Sequence, residues 1–202
     1  MKQNNITDKK IIGLTGGSGS GKSTIGRCSA DEDLLYIDAD RLGQQVILKG
    51  KPAFDELISI FGDSILGSDG EIHRKKLGGI VFSDPNKLAH LNRISHHYIK
   101  QEILKIIADT DKKGIIIDGA VIIGSIIQDM CDVIVSVLAD KQIRIGRILE
   151  RDGISREMAE KRIANQPDDK FYIENSDYII YNNEETEKAI NEGAEIFRRI
   201  IR

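Results

Sequence analysis

Near the start of the chain, Gly16, Gly21, Lys22 and Ser23 match G-x-x-x-x-G-K-[ST], and no later feature restricts the fold as much. The pattern needs a strand before it and a helix after it. Ile11-Ile12-Gly13-Leu14 reads as a buried strand, and a helix is expected to open at about Lys22. In that setting the glycines let the backbone wrap a phosphate with its N–H groups turned inward, where a Cβ would block the approach. Lys22 supplies a point charge to β and γ oxygens, the Ser23 hydroxyl is placed to ligate Mg²⁺, and the helix adds its positive dipole end. A Gly/Ser linker is the competing reading, and the flanking strand and helix argue against it. The nucleotide-contacting set is therefore Gly17, Gly19, Ser20, Gly21, Lys22, Ser23 and Thr24.

Apolar runs of strand type recur at 11–15, 34–37, 114–117, 133–138 and 178–181, with helix-periodic segments between them. This alternation predicts β/α units and a parallel sheet. The gap between the second and third runs exceeds what one crossover helix needs. It carries helix candidates at 42–48, 53–61, 73–82 and 85–108, the last opened by Asp84 as N-cap and Pro85 at the first helical position. The expected fold class is thus α/β: a P-loop NTPase-type parallel β-sheet flanked by helices. A helical acceptor-binding insertion over about 41–110 and a helical lid over about 141–175 would be carried on a core of about 9–40, 111–140 and 176–202.

Net charge of −3 gives no push toward nucleic acid or an anionic membrane. No apolar run approaches the ~20 residues that span a bilayer. The opening MKQNNITDKK lacks the apolar stretch of a secretion signal and reads as a short frayed tail. Cys28 and Cys131 form no C-x-x-C pair, and the four histidines lack metal-ligand spacing, so a cytoplasmic protein without a structural metal is expected. A monomer or weak homo-oligomer is expected.

Second motifs separate the users of such a loop. Guanine reading needs N-K-x-D, and the N-K here continues as Asn86-Lys87-Leu88-Ala89. A hydrolytic motor needs Asp-Glu after an apolar strand, whereas Ile115-Ile116-Ile117-Asp118 is followed by Gly119. A small-molecule kinase needs a carboxylate to orient an acceptor hydroxyl and cations over the transferring phosphoryl group. Asp38 and Asp40 close the second strand run, and in extended chain an i, i+2 pair points to one face. One acid would orient the hydroxyl and the other hold a Mg²⁺-bound water, with helix capping by Asp40 as the competing role. Arg144, Arg147 and Arg151 fall at i, i+3 and i+7, one stripe of a helix, with Arg147 and Arg151 as the phosphate-covering pair and Ile143, Ile148 and Leu149 packing on the sheet.

Several ordered stretches resemble the dephospho-coenzyme A kinase family, from Ile11 to about Asn183. They are "IGLTGGSGSGKST", "IDAD", "FGDSILGSDGEIHRKKLGGIVFSDPNKLAHLNRISHHYI", and "ERDGIS" followed by Gln166 and Asp177-Tyr178-Ile179-Ile180. The resemblance implies transfer of the ATP γ-phosphoryl group to the ribose 3′-hydroxyl of dephospho-CoA, with Mg²⁺. It makes Asp40 the catalytic carboxylate, beside Lys22 and Arg147. It adds Arg74 and His96 to Asp38 and Asp40 as acceptor-binding residues. The chain departs from the family pattern at Ala120 and Gly124, where a proline and an acid are usual, at His97 in place of proline, and at Tyr172 in place of a basic residue. These changes concern acceptor packing and the lid. Two other readings remain open: another acceptor, such as a nucleoside monophosphate, and a nucleotide-binding regulator without turnover.

Overall fold

The computed structural model describes residues 9–202; the expectation for the N-terminal tail falls largely on residues 1–8, outside the described residues. Among the described residues five strands form one parallel sheet: β1 (Lys10–Thr15), β2 (Leu34–Asp38), β3 (Gly114–Asp118), β4 (Val133–Leu138) and β5 (Tyr178–Tyr181), in the order β2-β3-β1-β4-β5. β1 is central, paired in parallel with β3 (Leu14 opposite Asp118) and with β4 (Thr15 opposite Ser136). Strands covered on both faces read as continuous apolar runs, and Ile115, Ile116 and Ile117 are fully buried for this reason. Carboxylates begin two strands: Asp132 accepts from Ile11 N and Asp177 from Ile134 N, both at 2.8 Å.

Helix α1 (Lys22–Ser29) follows the loop, and α9 (Thr186–Ile200) ends the fold. Ile25 of α1 and Ala189, Ile196 and Phe197 of α9 join Ile12, Leu14, Ile116, Val135, Val137 and Ile180 of the sheet in one core. The two helices lie close because Gly193 has no side chain: a Cβ there would come within 2.8 Å of Ser29 Oγ. Burying a Phe or Ile of this core is worth about 1.5–3 kcal/mol each.

Between β2 and β3 lie α2 (Ala39–Gln45), α3 (Pro52–Phe61), α4 (Arg74–Val81) and α5 (Pro85–Asp109). Ala39–Ala108 forms a compact unit of its own; the remaining described residues, 9–38 and 109–202, form the other. In the helical unit the Asp84 carboxylate accepts from Asn86 N at 2.9 Å, capping α5 ahead of Pro85, and Tyr98 donates to Glu56 at 3.1 Å. After β4 come α6 (Lys141–Asp152), α7 (Arg156–Ala164) and α8 (Asp169–Glu174), which belong to the sheet-bearing unit. Gly153, at φ 62°, ends α6 with a left-handed residue.

Two local expectations fail. β2 stops at Asp38 and α2 opens at once, so Asp40 sits in a first helical turn rather than in extended chain. The strand alternation that put Asp38 and Asp40 on one face does not apply; an acid in a first turn is favoured by the helix dipole, which suits an early helix start. The apolar face of α6 also differs. Ile145 and Ile148 pack with Ala159 and Ile163 of α7 in a small separate cluster, with Leu149 at its edge, instead of on the sheet.

Candidate active site

The loop between β1 and α1 is pressed from outside by its neighbours. A Cβ on Gly17 would lie 2.2 Å from Arg144 Nη2, and one on Gly21 would lie 2.3 Å from Asn182 Nδ2. Gly21 also holds φ 95°, a left-handed value that a side chain resists. Glycine is demanded most firmly where backbone closes on the loop: a Cβ on Gly16 would lie 2.3 Å from Val137 O, and one on Gly19 would lie 2.6 Å from Arg144 O. Inside the loop, the Ser20 hydroxyl is buried and has no hydrogen-bond partner among the described residues, a polar group suited to a polar ligand. The first N–H groups of α1 have no intrahelical acceptor and open onto the same loop.

Lys22 opens α1, and its ammonium lies 2.8 Å from Asp118 Oδ1 and 3.3 Å from the Ser23 hydroxyl. Asp118 is only 1% exposed. Its other oxygen accepts a 2.5 Å hydrogen bond from Tyr36 on the neighbouring strand β2. Burial and the Asp118 charge together push the Tyr36 phenol well above its ordinary pKa, so it remains a donor. The Arg27 guanidinium stands 5.3 Å from the centre of the Tyr36 ring and pairs with Asp38 at 2.9 Å. Of the strand-end acids, Asp38 is thus engaged by Arg27, while Asp40 is exposed on α2.

The arginine stripe divides. Arg147 donates from Nη1 to the carbonyls of Gly19 (3.3 Å) and Ser20 (3.2 Å) and from Nη2 to Asn182 O (3.2 Å) and Oδ1 (3.3 Å). Partial burial lowers its pKa from the ordinary arginine value. Asn182, just past β5, donates in turn to Ser20 O at 2.8 Å. Arg151 is exposed and forks onto Asp152 at 2.7 and 2.9 Å; Arg162 joins the same carboxylate, and both arginines hold its pKa low. Arg144, ranked below these two on sequence, is the buried one. It donates to Ser18 O at 2.9 Å and to Gln166 Oε1 at 3.0 Å.

In the helical unit, Arg74 is the exposed first residue of α4, whose N-cap His73 accepts from Lys76 N. His96 is half-buried on α5, and that burial lowers its pKa, favouring the neutral ring. Of the departures, Gly124 holds φ 78°, a value the usual acid would resist, and its N–H donates to Gln128 at 2.7 Å. Tyr172 is buried, and His97 is exposed with its ring edge-on to Tyr98.

Sequence reasoning left Tyr36 and Asn182 without a role and gave Asp118 only a negative one. Asp118 was findable as the acid ending an apolar strand; Tyr36 and Asn182 act across sequence gaps that no local motif spans.

A parallel sheet of this order, with a phosphate loop after its central strand and a strand-end acid on the loop lysine, defines a P-loop phosphotransferase. Solved structures agree on the fold. The crystal structure of TT1252 from Thermus thermophilus matches with a TM-score of 0.82 at 22% identity, over 95% of this chain and 97% of that one. A shikimate kinase from Acinetobacter baumannii matches with a TM-score of 0.55 at 15% identity, over 96% and 93%. The family model described as dephospho-CoA kinase matches residues 10–188. A dephospho-CoA kinase of Fusobacterium nucleatum is 40% identical over 177 residues, 88% of this chain and 91% of its own length. The chain belongs to the dephospho-CoA kinase family, whose members use ATP to catalyse the final step of coenzyme A synthesis.

Proposed function

We propose that this chain transfers the γ-phosphoryl group of ATP to the ribose 3′-hydroxyl of dephospho-CoA, with Asp40 orienting that hydroxyl. The observation that carries the reading is the Lys22–Asp118 pair, followed by Gly119 and not by a second acid. One buried carboxylate beside the loop serves a nucleotide-bound cation, and no acid follows it to activate water. Transfer to an alcohol is then favoured over hydrolysis.

Before nucleotide binds, Asp118 holds Lys22 over the loop. ATP competes for the ammonium, which moves to the β and γ oxygens while Tyr36 keeps its bond to Asp118. Gly17, Gly19, Ser20, Gly21, Lys22, Ser23 and Thr24 wrap the phosphates, the Ser20 N–H holding the turn by donating to Gly17 O at 3.1 Å. Arg147 places positive charge against the loop at Gly19 and Ser20, and Arg151 covers the transferring group once it leaves Asp152. Asp40 accepts the hydroxyl's hydrogen bond and aims its oxygen, a role of positioning more than of proton removal. Asp38 serves beside it on the acceptor, and Arg74 and His96 bind the acceptor from the helical unit. Residues 41–110 act as the acceptor-binding insertion, and 141–175 as a lid that excludes water.

The residues fit Mg²⁺. Among the described residues no cluster of three His, Cys, Asp or Glu offers a ready metal cage. Mg²⁺ on a nucleotide needs only one or two protein oxygens beside the phosphates, here the Ser23 hydroxyl and the Asp118 carboxylate. When bound, it screens the charge shared by the β and γ phosphates. The protein works in the cytoplasm, a setting that suits two cysteines, Cys28 and Cys131, that form no disulfide, and it acts as a monomer or weak homo-oligomer.

An acceptor panel with Mg-ATP tests the reading. Dephospho-CoA should yield coenzyme A by mass spectrometry, and nucleoside monophosphates should yield little product. Preference for a nucleoside monophosphate would overturn the acceptor, and ATP binding without any product would overturn turnover itself.

A further inference from the structure

The outer turn of the phosphate loop is fastened by two side chains from distant sequence. Gln166, between α7 and α8, takes both polar groups that Ser18 offers it: its Oε1 accepts the Ser18 N–H at 2.9 Å and its Nε2 donates to the Ser18 hydroxyl at 3.1 Å. The same Oε1 accepts from Arg144 Nη2 at 3.0 Å, and Arg144 Nε donates to the remaining Ser18 group, the carbonyl, at 2.9 Å. The Arg144 side chain is 6% exposed, and the Asp169 carboxylate stands 3.9 Å away on the exposed start of α8. Its guanidinium is therefore held chiefly by neutral acceptors, in an arrangement that uses the direction of each N–H and not charge alone. The guanidinium lies against Gly17, where an added Cβ would come within 2.2 Å of Nη2.

We propose that Gln166 and Arg144 are positioning residues: a latch that fixes the outer turn of the loop before nucleotide arrives, so that ATP affinity depends on the α6–α8 segment as well as on the loop. This rests on the reading of the loop as the ATP site. Neither side chain need touch ATP. Each spares the nucleotide the cost of ordering the turn around Ser18, and ordering even one residue is worth about tenfold in affinity. Because the latch joins the loop to the connection between α7 and α8, a displacement of that connection would also loosen the cradle.

Four variants test it, each checked for folding by circular dichroism: Gln166→Ala, Gln166→Glu, Arg144→Lys and Lys22→Ala. ATP affinity is measured by calorimetry without acceptor. Amide exchange at Ser18 is followed by NMR in nucleotide-free protein, and KM and kcat are measured with both substrates. Gln166→Ala should weaken ATP about tenfold, speed Ser18 exchange, and raise KM for ATP more than it lowers kcat. Gln166→Glu keeps an acceptor for Ser18 N–H and for Arg144 and should restore most of the exchange protection. Arg144→Lys keeps the charge but not the fork and should behave like Gln166→Ala. Lys22→Ala should lose ATP affinity with Ser18 exchange unchanged, and retained affinity there would count against the ATP site while leaving the latch measurable by exchange. Wild-type exchange and affinity in Gln166→Ala would overturn the proposal, as would full rescue by Arg144→Lys, which would reduce Arg144 to a charge.

Discussion

Replacing Tyr36 by Phe removes one oxygen and isolates the contribution of its bond to Asp118. The ring stays, so apolar burial against Gly26 is nearly unchanged. What is lost is a 2.5 Å hydrogen bond to a carboxylate that is 1% exposed and cannot replace it readily with water. A hydrogen bond to a charged group contributes about 1.5–3 kcal/mol, and for a chain of this size each kcal/mol moves Tm by about 2–4 °C. The nucleotide-free variant should therefore unfold about 3–12 °C lower. Urea unfolding followed by circular dichroism measures the free-energy loss directly, with an unchanged m-value showing that only stability moved. The pH dependence supplies a second readout. The folded phenol's pKa lies above its unfolded value of 10.0, so its contribution is complete below about pH 10 and is lost as pH rises toward the folded value. Tyr36→Phe should flatten that alkaline decline. A loss under about 0.5 kcal/mol, within the scatter of a neutral surface change, would refute the reasoning.

Two further predictions concern groups outside that bond. Burial lowers the pKa of His96, so the unfolded chain binds the proton more readily, and wild-type stability should fall as pH drops below about 6.5; His96→Asn should reduce this acid-side loss in unfolding curves, and identical pH slopes would contradict it. Arg151 is exposed on its exposed partner Asp152, so Arg151→Gln should change stability by no more than about 0.5 kcal/mol. Its proposed role predicts a raised KM for ATP, and an unchanged KM would remove Arg151 from the phosphate-covering set.

The sheet was legible because its strands carry their burial in their own sequence. Ile115-Ile116-Ile117 and Val133–Leu138 have few other places to go, and Asp or Gly marks their ends. The phosphate loop was legible because its backbone restricts residue type at fixed spacing. The arginine stripe was only half legible. Helical periodicity puts Arg144, Arg147 and Arg151 on one side of α6, but which of them meets the loop depends on how Ile145 and Ile148 seat against α7. Asp40 was misplaced locally because a strand of five residues and an immediate helix start cannot be told apart from a longer strand by apolar pattern alone. Tyr36, Asn182 and Gln166 reach their partners across 82, 162 and 148 residues, and only the folded chain brings such pairs together.

The most direct test of the central claim compares wild type with Asp40→Asn, measuring coenzyme A formed from dephospho-CoA and Mg-ATP alongside ATP affinity by calorimetry. A carboxylate that aims the acceptor hydroxyl predicts product formation reduced by about 10²-fold with ATP affinity unchanged. Product formation by Asp40→Asn at the wild-type rate would contradict the account.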